Sequence, residues 1–414
     1  MSLINTLNNL RQSDRVRRVP ISRKLVVSIL SKLQGCNLTL EDQWDCLSWG
    51  NDKEKNDLTA ALKVSNPDFY RHVVSQGELG AADTYGDGYW DCDDLTRLFQ
   101  IFIRNQPTSK SFTGYASRLR GRFRNVHRWF QGNNRRRSRR NIHAHYDIGN
   151  NFFQMFLDES LNYSSAVFDH SSQSLHGASI NKMDQLCQDL ELVAEDHLVE
   201  IGTGWGAFAI HAAMKYGCRV TTTTISDAQY RFVMQKVQDL GLQNQITVLN
   251  DDYRDIEGVY DKLVSIEMIE AVGHEYLPIF FQKCNSLLAP GGKMSLQAIL
   301  MNDLHYDAYL KSTDFIREFI FPGACLPCQR VIDDILDKKT ELSIVHSNDI
   351  TAHYVKTLRC WLDTLLARKR EILDLGFDER FLRIWAYYLC YCEAGFMERH
   401  CTTVQIKLQR ECAS

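Results

Sequence analysis

Three glycines at alternate positions, Gly202, Gly204 and Gly206, follow a short apolar segment in VEIGTGWGAFA. Glycine lets the backbone turn tightly and lets a ligand approach without a Cβ in its path. Ligands of open parallel sheets bind beyond the carboxyl ends of the strands, so the position suits a cofactor. The spacing differs from the dinucleotide pattern G-x-G-x-x-G, and a purely structural turn stays open at this point.

Polar residues after the next two apolar segments offer further ligand groups. Ser226 and Gln229 have the spacing of a helix capping box, which needs no ligand. Alternatively, Gln229 binds a ribose hydroxyl, since TTTTIS ends without the acid that usually does so. Asp251 and Asp252 follow ITVLN, where an adenine ring would lie in such a sheet, although surface acids fit the same pattern.

Pairs of cysteines and histidines give little support for a metal site. Cys325 and Cys328 form CLPC, but no second CxxC or paired histidine set accompanies them. His143 and His145 lie two residues apart without a nearby carboxylate to complete a facial triad. The sequence therefore predicts no metal site.

The elements that must position these residues alternate between strand and helix from His197 onward. We expect strands in HLVEIG, CRVTTTTIS, ITVLNDD, KLVSIEMI and KMSLQAIL, with helices between them, two of which Gly217 and Gly241 close. Such alternation predicts a parallel sheet with helices on both faces, so the fold class is α/β. Two long helical patterns follow, 354–375 and 379–397, and the chain ends in the strand-like TTVQIKLQ.

Charge is distributed unevenly along the chain. The 414 residues carry a formal net charge of −3, yet residues 110–146 contain one lysine, ten arginines and no acid, so this basic band carries +11 and the remainder −14. Within the band, Leu119, Phe123, Val126 and Phe130 recur at helical spacing, which predicts a basic amphipathic helix. A nucleic acid, an anionic membrane surface or a solvated linker could each explain the band.

The composition indicates a chain with a large core and no membrane span. It is 44% apolar and 24% charged. No apolar run approaches the roughly 18 residues that cross a bilayer as a helix. The N-terminus lacks a secretory pattern, so we expect a cytoplasmic protein whose thirteen cysteines stay reduced and form no disulfides.

Eight segments stand in order between residue 142 and the C-terminus: HYDIGNNFFQMFLDESLNYSSAVF, VEIGTGWG, TTISDAQ, NDDYRDI, SIEMIEAVGHEY, DFIREFIFPGACLP, HYVKTLRCW and YYLCYCEAGF. Together they resemble the cyclopropane-fatty-acyl-phospholipid synthases, which are S-adenosylmethionine-dependent methyltransferases. GELGAADTYGDGYWDCDDLTRLF resembles the N-terminal domain of that family. The resemblance implies a class I methyltransferase sheet, Rossmann-like and seven-stranded, with TTVQIKLQ as its antiparallel strand and helical elements around a lipid site.

We therefore expect three regions: a small N-terminal domain over residues 1–110 for lipid docking or dimerisation, a basic amphipathic linker over 111–140, and a methyltransferase domain over 141–414. The resemblance implies S-adenosylmethionine as the cofactor and favours the ribose role of Gln229 over the capping box. The implied cofactor-binding residues are Tyr163, Ser164, Gly202, Thr203, Gly204, Gly206, Thr224, Ser226, Gln229, Asp252 and Tyr253.

In this family, a cis double bond of a phospholipid acyl chain attacks the sulfonium methyl group. An alkene is a poor nucleophile, so the site must exclude water and hold both partners in contact. A carbocation forms, and a base removes a proton from the new methyl group so that the cyclopropane ring closes. The resemblance implies a bound bicarbonate as that base, held by the Glu270 carboxylate, the Tyr354 hydroxyl, Gln297 and the Ser165 amide. Cys392 matches the active-site cysteine of the family and would line the pocket, although a helical cysteine is often simply buried.

Two of these positions depart from the common pattern. Ser165 stands where bacterial members commonly have cysteine, and Gln297 where they have histidine. Glutamine can donate to an anion but cannot titrate, so a proton shuttle there is lost. A methyl-branched or methylene-bearing product stays an alternative to the ring, because the same cation can lose a different proton. Tyr388 and Phe396, one turn on either side of Cys392, could offer π faces to that cation or merely pack the helix core.

The expected partners are an unsaturated phospholipid, an anionic lipid surface bound peripherally through the arginine-rich helix, and a second copy of the chain, but no nucleic acid. A small-molecule N-methyltransferase is the alternative enzyme, because alkaloid N-methyltransferases share this sheet and parts of these motifs. A nucleic-acid-binding protein with a degenerate methyltransferase fold is the alternative from another class. The intact cofactor motifs and the lack of a base-reading module weigh against it.

Overall fold

The computed structural model describes residues 19–50, 58–105, 149–170 and 173–412. The chain divides into two compact units, Met1–Gly121 and Arg122–Ser414. The linker and amphipathic helix predicted over 111–140 lie outside the described residues, as do His143 and His145.

The first unit contains a small mixed sheet. Its strands are β1 (Asn37–Glu41), β2 (Cys46–Trp49), β3 (Thr59–Val64) and β4 (Trp90–Cys92). Its helices are α1 (Ile21–Leu30), α2 (Asp68–Gln76), α3 (Glu78–Gly86) and α4 (Leu95–Arg104). The strand order is β2-β1-β3-β4, with β1 and β3 parallel and the outer pairs antiparallel. Residues of β3 alternate between exposed and buried, so one face of the sheet packs on the core of the unit.

The second unit is built on a seven-stranded sheet. Its strands are β5 (His197–Ile201), β6 (Arg219–Thr223), β7 (Ile246–Leu249), β8 (Tyr260–Ile266), β9 (Leu288–Met301), β10 (Leu342–Asp349) and β11 (Cys401–Arg410). They lie in the order β10-β11-β9-β8-β5-β6-β7. The strands from β9 to β7 pair in parallel, whereas β11 is antiparallel to both β9 and β10. The predicted α/β class and the antiparallel strand in TTVQIKLQ are confirmed.

Helices cover both faces of this sheet. They are α5 (Asn150–Phe156), α6 (Leu175–Asp189), α7 (Ala207–Tyr216), α8 (Asp227–Asp239), α9 (Leu277–Leu287), α10 (Asp303–Leu310), α11 (Gln329–Lys339), α12 (Thr351–Ala367), α13 (Lys369–Asp374) and α14 (Glu379–Met397). The last predicted helix, 379–397, matches α14, but the pattern over 354–375 forms two helices. They separate at Arg368, where φ is −99° and ψ is 19°, and the Arg368 guanidinium donates to the Gln154 and Met155 carbonyls.

The central strands are apolar on both faces because helices cover both. In β5, Leu198 packs in one hydrophobic cluster with α6, α7 and α8, while Val199 and Ile201 pack in another with α9 and α11. The carboxyl ends of the parallel strands therefore meet at one edge, which is where the predicted site residues lie.

Among the residues that the structure describes, no helix is long and apolar enough to span a membrane.

Candidate active site

The glycine turn after β5 combines tight packing with an open approach. Gly202, Gly204 and Gly206 have φ values of 97°, 52° and 82°. A Cβ would stand 3.0 Å from Met268 Cγ at Gly202 and 2.9 Å from Val233 Cγ1 at Gly206, but it would meet no atom within 4 Å at Gly204. The outer glycines thus serve the turn itself, and Gly204 leaves backbone accessible to a ligand.

The residues after β6 form a buried hydrogen-bonded group. Thr224 Oγ1 donates to Gln229 Oε1 at 2.9 Å, and the Ser226 amide donates to Thr224 Oγ1 at 3.1 Å. Ser226 Oγ accepts from the Gln229 amide at 3.3 Å, which is the serine half of a capping box. The Gln229 side chain is therefore fixed by Thr224 at the cofactor edge, and its contact with a ribose stays a prediction.

The segment after β7 carries a buried tyrosine hydroxyl. Asp252 accepts from Arg254 Nε at 2.7 Å and Nη2 at 2.6 Å, so its charge is balanced locally. The Tyr253 ring packs on Phe280, and its hydroxyl has no hydrogen-bond partner among the described residues. A buried polar atom without a partner fits a site that a polar ligand completes. Together with the open turn at Gly204, it makes this edge suitable for S-adenosylmethionine.

Aromatic rings connect the glycine turn to the helices beyond it. Trp205 lies 4.9 Å from Phe153, centroid to centroid, and Phe153 lies 5.2 Å from Tyr163. The Tyr163 ring is 5.3 Å from Trp361 of α12, and its hydroxyl donates to that of Tyr388 on α14 at 3.0 Å. We call this group the aromatic wall; it also includes Phe156, Trp385 and Phe321.

A buried lysine, which the sequence did not single out, holds Ser164. Lys182 Nζ donates to Ser164 Oγ at 2.8 Å and to Asn162 Oδ1 at 3.1 Å. Burial lowers the pKa of Lys182 to about 8, an effect that the nearby Glu267 and Asp158 carboxylates oppose. The only sequence signal is a lysine inside the otherwise half-apolar helix α6.

Three predicted residues converge on a carboxylate that was not predicted. Glu267 Oε1 accepts from the Ser165 amide at 2.9 Å and from Gln297 Nε2 at 2.8 Å, and Glu267 Oε2 accepts from the Tyr354 hydroxyl at 2.8 Å. We call these three donors the donor set. Ser165 and Gln297 are fully buried. The signal for Glu267 was a second acid, three residues before Glu270, at the end of an apolar strand.

The orientation of Gln297 is fixed by the antiparallel strand. Gln297 and Gln405 are register partners of β9 and β11, and Gln405 Nε2 donates to Gln297 Oε1 at 3.0 Å. Since the Gln297 carbonyl oxygen is thus engaged, its Nε2 faces Glu267 and the Ser165 carbonyl. Gln405 is a second positioning residue that the sequence did not single out.

Glu270 lies beside this group but binds a different donor. Its Oε1 accepts from the Ile299 amide at 2.5 Å, and its Oε2 is buried without a hydrogen-bond partner among the described residues. Burial, with repulsion from Glu267, raises the pKa of Glu270 to about 8, so it is largely a neutral acid at pH 7. Burial and the Glu267 charge raise the pKa of Tyr354 well above its usual value, which keeps the hydroxyl as a donor.

The bicarbonate that the resemblance implies does not fit this arrangement. Ser165, Gln297 and Tyr354, which were expected to bind it, already donate to the Glu267 carboxylate. A bound anion would have to displace a carboxylate that is covalently part of the chain, and it would place another negative charge in a buried site.

Cys392 lies near the donor set but makes no nucleophile. It lies one helical turn from Tyr388 on α14, and burial raises the pKa of the Tyr388 phenol well above its usual value. Burial raises the pKa of the Cys392 thiol itself well above its usual value, so the thiol stays protonated. Phe396 stacks on Tyr354 at 4.6 Å, and it therefore both packs the helix and borders the site.

The CLPC segment has a structural part in the site. The Cys325 amide donates to the Glu270 carbonyl at 2.7 Å, and Cys325 Sγ accepts from Arg317 Nη2 at 3.4 Å. Within the described ranges, no cluster of three or more His, Cys, Asp and Glu side chains could hold a metal ion.

Comparisons with known proteins agree with this geometry. The family model described as mycolic acid cyclopropane synthetase matches residues 133–406. Tuberculostearic acid methyltransferase UfaA1 of Mycobacterium tuberculosis is 35% identical over 363 residues, 85% of this chain and 83% of that protein. Cyclopropane-fatty-acyl-phospholipid synthase of Escherichia coli K12 is 31% identical over 358 residues, 85% and 88% of the two chains.

A solved structure is similar over about two thirds of the chain. Mycolic acid cyclopropane synthase CmaA1, complexed with SAH and CTAB, is 29% identical with a TM-score of 0.62, covering 66% of this chain and 98% of its own. The family match, these relatives and the cofactor edge agree with one another: the chain is an enzyme that belongs to the mycolic acid cyclopropane synthetase family of S-adenosylmethionine-dependent methyltransferases.

Proposed function

We propose that this enzyme transfers the methyl group of S-adenosylmethionine to a cis double bond of an unsaturated phospholipid acyl chain and forms a cyclopropane ring. The observation that carries the proposal is the Glu267 carboxylate, buried with its donor set next to an aromatic wall at the cofactor edge. An apolar site that excludes water and contains one carboxylate suits an alkene as the substrate. The alkene must be held against the methyl group and needs a base, but it has no polar group for the protein to bind. The name of the E. coli relative points to the same substrate class.

The residues at the site would have separate roles in binding the cofactor and in protecting the cation. When bound, S-adenosylmethionine supplies an electrophilic methyl group. The open turn at Gly204, the Gln229 side chain and the Tyr253 hydroxyl would hold it at the sheet edge. The rings of the aromatic wall exclude water and offer π faces to a carbocation. The protonated Cys392 thiol is a weak nucleophile, so it would not trap that cation.

A groove beside the aromatic wall suits the acyl chain. Its volume is about 320 Å³. It is lined by Phe319, Ile320, Asp378, Arg380, Phe381, Ile384 and Trp385. Trp385 belongs to both the groove and the wall, so an acyl chain in the groove would be led toward Tyr163. Arg380 would suit an anionic phosphate at the polar part of the groove.

Docking to the membrane is part of the same proposal. The ten arginines and the apolar stripe of the basic band suit an anionic lipid interface. We also propose that the first unit contributes to docking or to a homodimer, which sedimentation of the full chain would test.

A branched product is the second candidate. It is favoured by the relative named tuberculostearic acid methyltransferase, which is 35% identical to this chain. The ring, the methylene-bearing product and a methyl-branched alkene share one cation and differ in which proton leaves. Methylation of a small-molecule amine is the remaining alternative, and it would give a new N-methyl group on the amine and leave the double bond of the lipid intact.

The test incubates the purified protein with S-adenosylmethionine and vesicles of a cis-monounsaturated phosphatidylglycerol. We expect release of S-adenosylhomocysteine and a mass gain of one CH₂ in the lipid. In the NMR spectrum, olefinic protons should disappear and high-field ring protons should appear. Retained unsaturation with the same mass gain would establish a methylene-bearing or methyl-branched product instead of the ring. Turnover with amines but not with lipid would contradict the proposal.

A further inference from the structure

We infer that the Glu267 carboxylate is itself the base that removes the proton from the new methyl group, in the place of a bound bicarbonate. The inference deepens the proposed function and rests on it. It follows from the observation that the donor set, which was expected to bind bicarbonate, already donates to the Glu267 carboxylate.

Glu267 has the contacts that an anion in this position would need. The Ser165 amide and Gln297 Nε2 share Glu267 Oε1, while among the described residues only the Tyr354 hydroxyl binds Oε2. A carboxylate oxygen has two lone-pair sites, so Oε2 keeps one that can accept a proton. The donors come from three separate segments, the loop after α5, strand β9 and helix α12, which fixes the carboxylate in space.

The backbone at Glu267 is held in a conformation that side chains disfavour. Its φ is 49°, in the left-handed region, and its amide donates to the Gln297 carbonyl at 2.8 Å. The next residue, Met268, packs against Gly202 of the cofactor turn. A residue other than glycine keeps such a conformation where its surroundings impose it, and such residues concentrate at active sites.

The neighbouring charges favour one ionised carboxylate in the pair. Glu270 has a buried oxygen without a partner among the described residues, and burial with repulsion from Glu267 raises its pKa to about 8. Glu267 accepts three hydrogen bonds, and the buried Lys182 acts on it electrostatically. Burial raises the pKa of Glu267, and the three donors and Lys182 oppose that rise. A raised pKa also makes the carboxylate a better proton acceptor.

Methyl transfer and ring closure need no reactant beyond the alkene, S-adenosylmethionine and Glu267. The π pair of the alkene forms the new bond to the methyl carbon, and the pair of the breaking C–S bond goes to sulfur, leaving a thioether. The other alkene carbon becomes cationic. Glu267 takes a proton from the new methyl group, and the pair of that C–H bond closes the ring. Glu267 ends as a carboxylic acid and loses its proton to solvent after the product leaves.

The experiment replaces Glu267 by glycine in the full chain. Glycine adopts a φ of 49° without steric strain, so the substitution removes the backbone strain. It also leaves the donor set available to an external anion. We expect wild-type turnover to be the same in carbonate-free buffer and with added bicarbonate. Glu267→Gly should lose about 10²- to 10⁴-fold in carbonate-free buffer, the usual contribution of a general base. Added bicarbonate should restore much of that activity.

Glu191→Gly is the matched control. Glu191 also has a positive φ, 52°, but its carboxylate pairs with Lys293 and Lys407 rather than with the donor set. The Glu191→Gly substitution should change neither the turnover rate nor the response of turnover to bicarbonate. Calorimetry of S-adenosylmethionine binding would show that each variant keeps its folded cofactor site.

Direct binding separates this inference from the proposed function. With ¹³C-labelled bicarbonate, NMR line broadening should appear for Glu267→Gly but not for the wild type. A wild type that requires bicarbonate for turnover, or that binds it, would overturn the inference while leaving lipid methylation intact. So would a Glu267→Gly variant that is fully active without carbonate. If no lipid is methylated by any form, the proposed function fails, and the binding result still decides what occupies the donor set.

Discussion

Two glutamates three residues apart have different roles because their donors differ. Glu267 receives three donors and stands near Lys182, whereas Glu270 receives the Ile299 amide through one oxygen. Two close buried carboxylates cannot both be charged cheaply, so their pKa values separate. The neutral Glu270 and the hydrogen-bonded Glu267 are thus one coupled arrangement.

This coupling predicts a pH-dependent stability. The pKa of Glu270 is raised to about 8 by burial, so below that pH the folded state holds a proton that the unfolded chain releases above about pH 4.5. Stability should therefore fall as pH rises through this window, by up to about 1.4 kcal/mol per pH unit. Burial raises the pKa of Glu200 to about 7. This residue therefore also makes stability fall as pH rises, in a window that ends about one pH unit lower.

Glu270→Gln keeps an acceptor for Ile299 and removes the titration. The free energy of unfolding of the variant, relative to wild type, should increase between about pH 4.5 and about pH 8. Urea unfolding at several pH values measures this difference. Glu257→Gln, a substitution at an exposed acid, is the control variant. Parallel pH profiles for wild type and Glu270→Gln would contradict the raised pKa.

Helices α12 and α14 carry one side of the site and must keep their register. Tyr354 lies on α12, and Tyr388 and Cys392 lie on α14. Arg359 and Glu393 join the two helices through two hydrogen bonds, Nε to Oε1 at 2.9 Å and Nη2 to Oε2 at 2.6 Å. Glu393 is 5% exposed and Arg359 is 43% exposed, so only one partner of the pair is buried.

That asymmetry predicts unequal effects of removing each partner. Arg359→Leu leaves the Glu393 carboxylate buried without its arginine and should cost on the order of 2 kcal/mol, below the value for a fully buried pair. Glu393→Gln leaves a half-exposed arginine that water can solvate, so it should cost less. Denaturant unfolding measures both. Lys369→Met, which removes the exposed pair with Glu379, should change stability by less than about 0.5 kcal/mol. Equal losses for Arg359→Leu and Glu393→Gln would contradict this assignment.

On the scale of the whole molecule, the near-neutral net charge conceals a basic band of +11 in a chain whose remainder carries −14. Such a separation directs one segment of the chain toward anionic surfaces while the rest is repelled by them. For an enzyme whose proposed substrate lies in a bilayer, attraction at one segment would bring the catalytic unit to its substrate without a membrane span.

Vesicle binding should therefore depend strongly on salt and on anionic lipid. A variant with glutamine at five arginines should bind phosphatidylglycerol vesicles at least about 100-fold more weakly, since each basic residue near the surface contributes about 1 kcal/mol. The five positions are Arg135, Arg136, Arg137, Arg139 and Arg140. Sedimentation with vesicles at low and high salt measures the affinity.

The control neutralises five exposed basic residues elsewhere, Lys311, Lys338, Lys339, Lys369 and Arg370. It should weaken binding far less. Undiminished binding of the wild type to neutral vesicles at high salt would exclude the electrostatic docking mode.

Sequence by itself identified the family, from its motifs, and it predicted the α/β class, the glycine turn and six of the seven strands of the large sheet. It did not predict strand β10 (Leu342–Asp349). The predicted elements follow from local pattern: apolar periodicity defines strands and helices, and Gly202 to Gly206 mark a turn wherever the sheet happens to lie. It also named Ser165, Gln297 and Tyr354 as site residues, because each stands in a family motif.

Only the tertiary structure decided what those residues bind. Ser165, Glu267, Gln297 and Tyr354 are separated by up to 189 positions in the chain, and no local pattern fixes the distances between their atoms. Glu267 and Glu270 lie only three residues apart in the sequence. The left-handed backbone at Glu267 nevertheless directs its carboxylate to three donors. The sequence named these three donors but not the Glu267 carboxylate that they bind in the folded chain. Hydrogen bonds are decided by ångström-scale geometry, which strands β8, β9 and β11 and helix α12 establish only when they pack together.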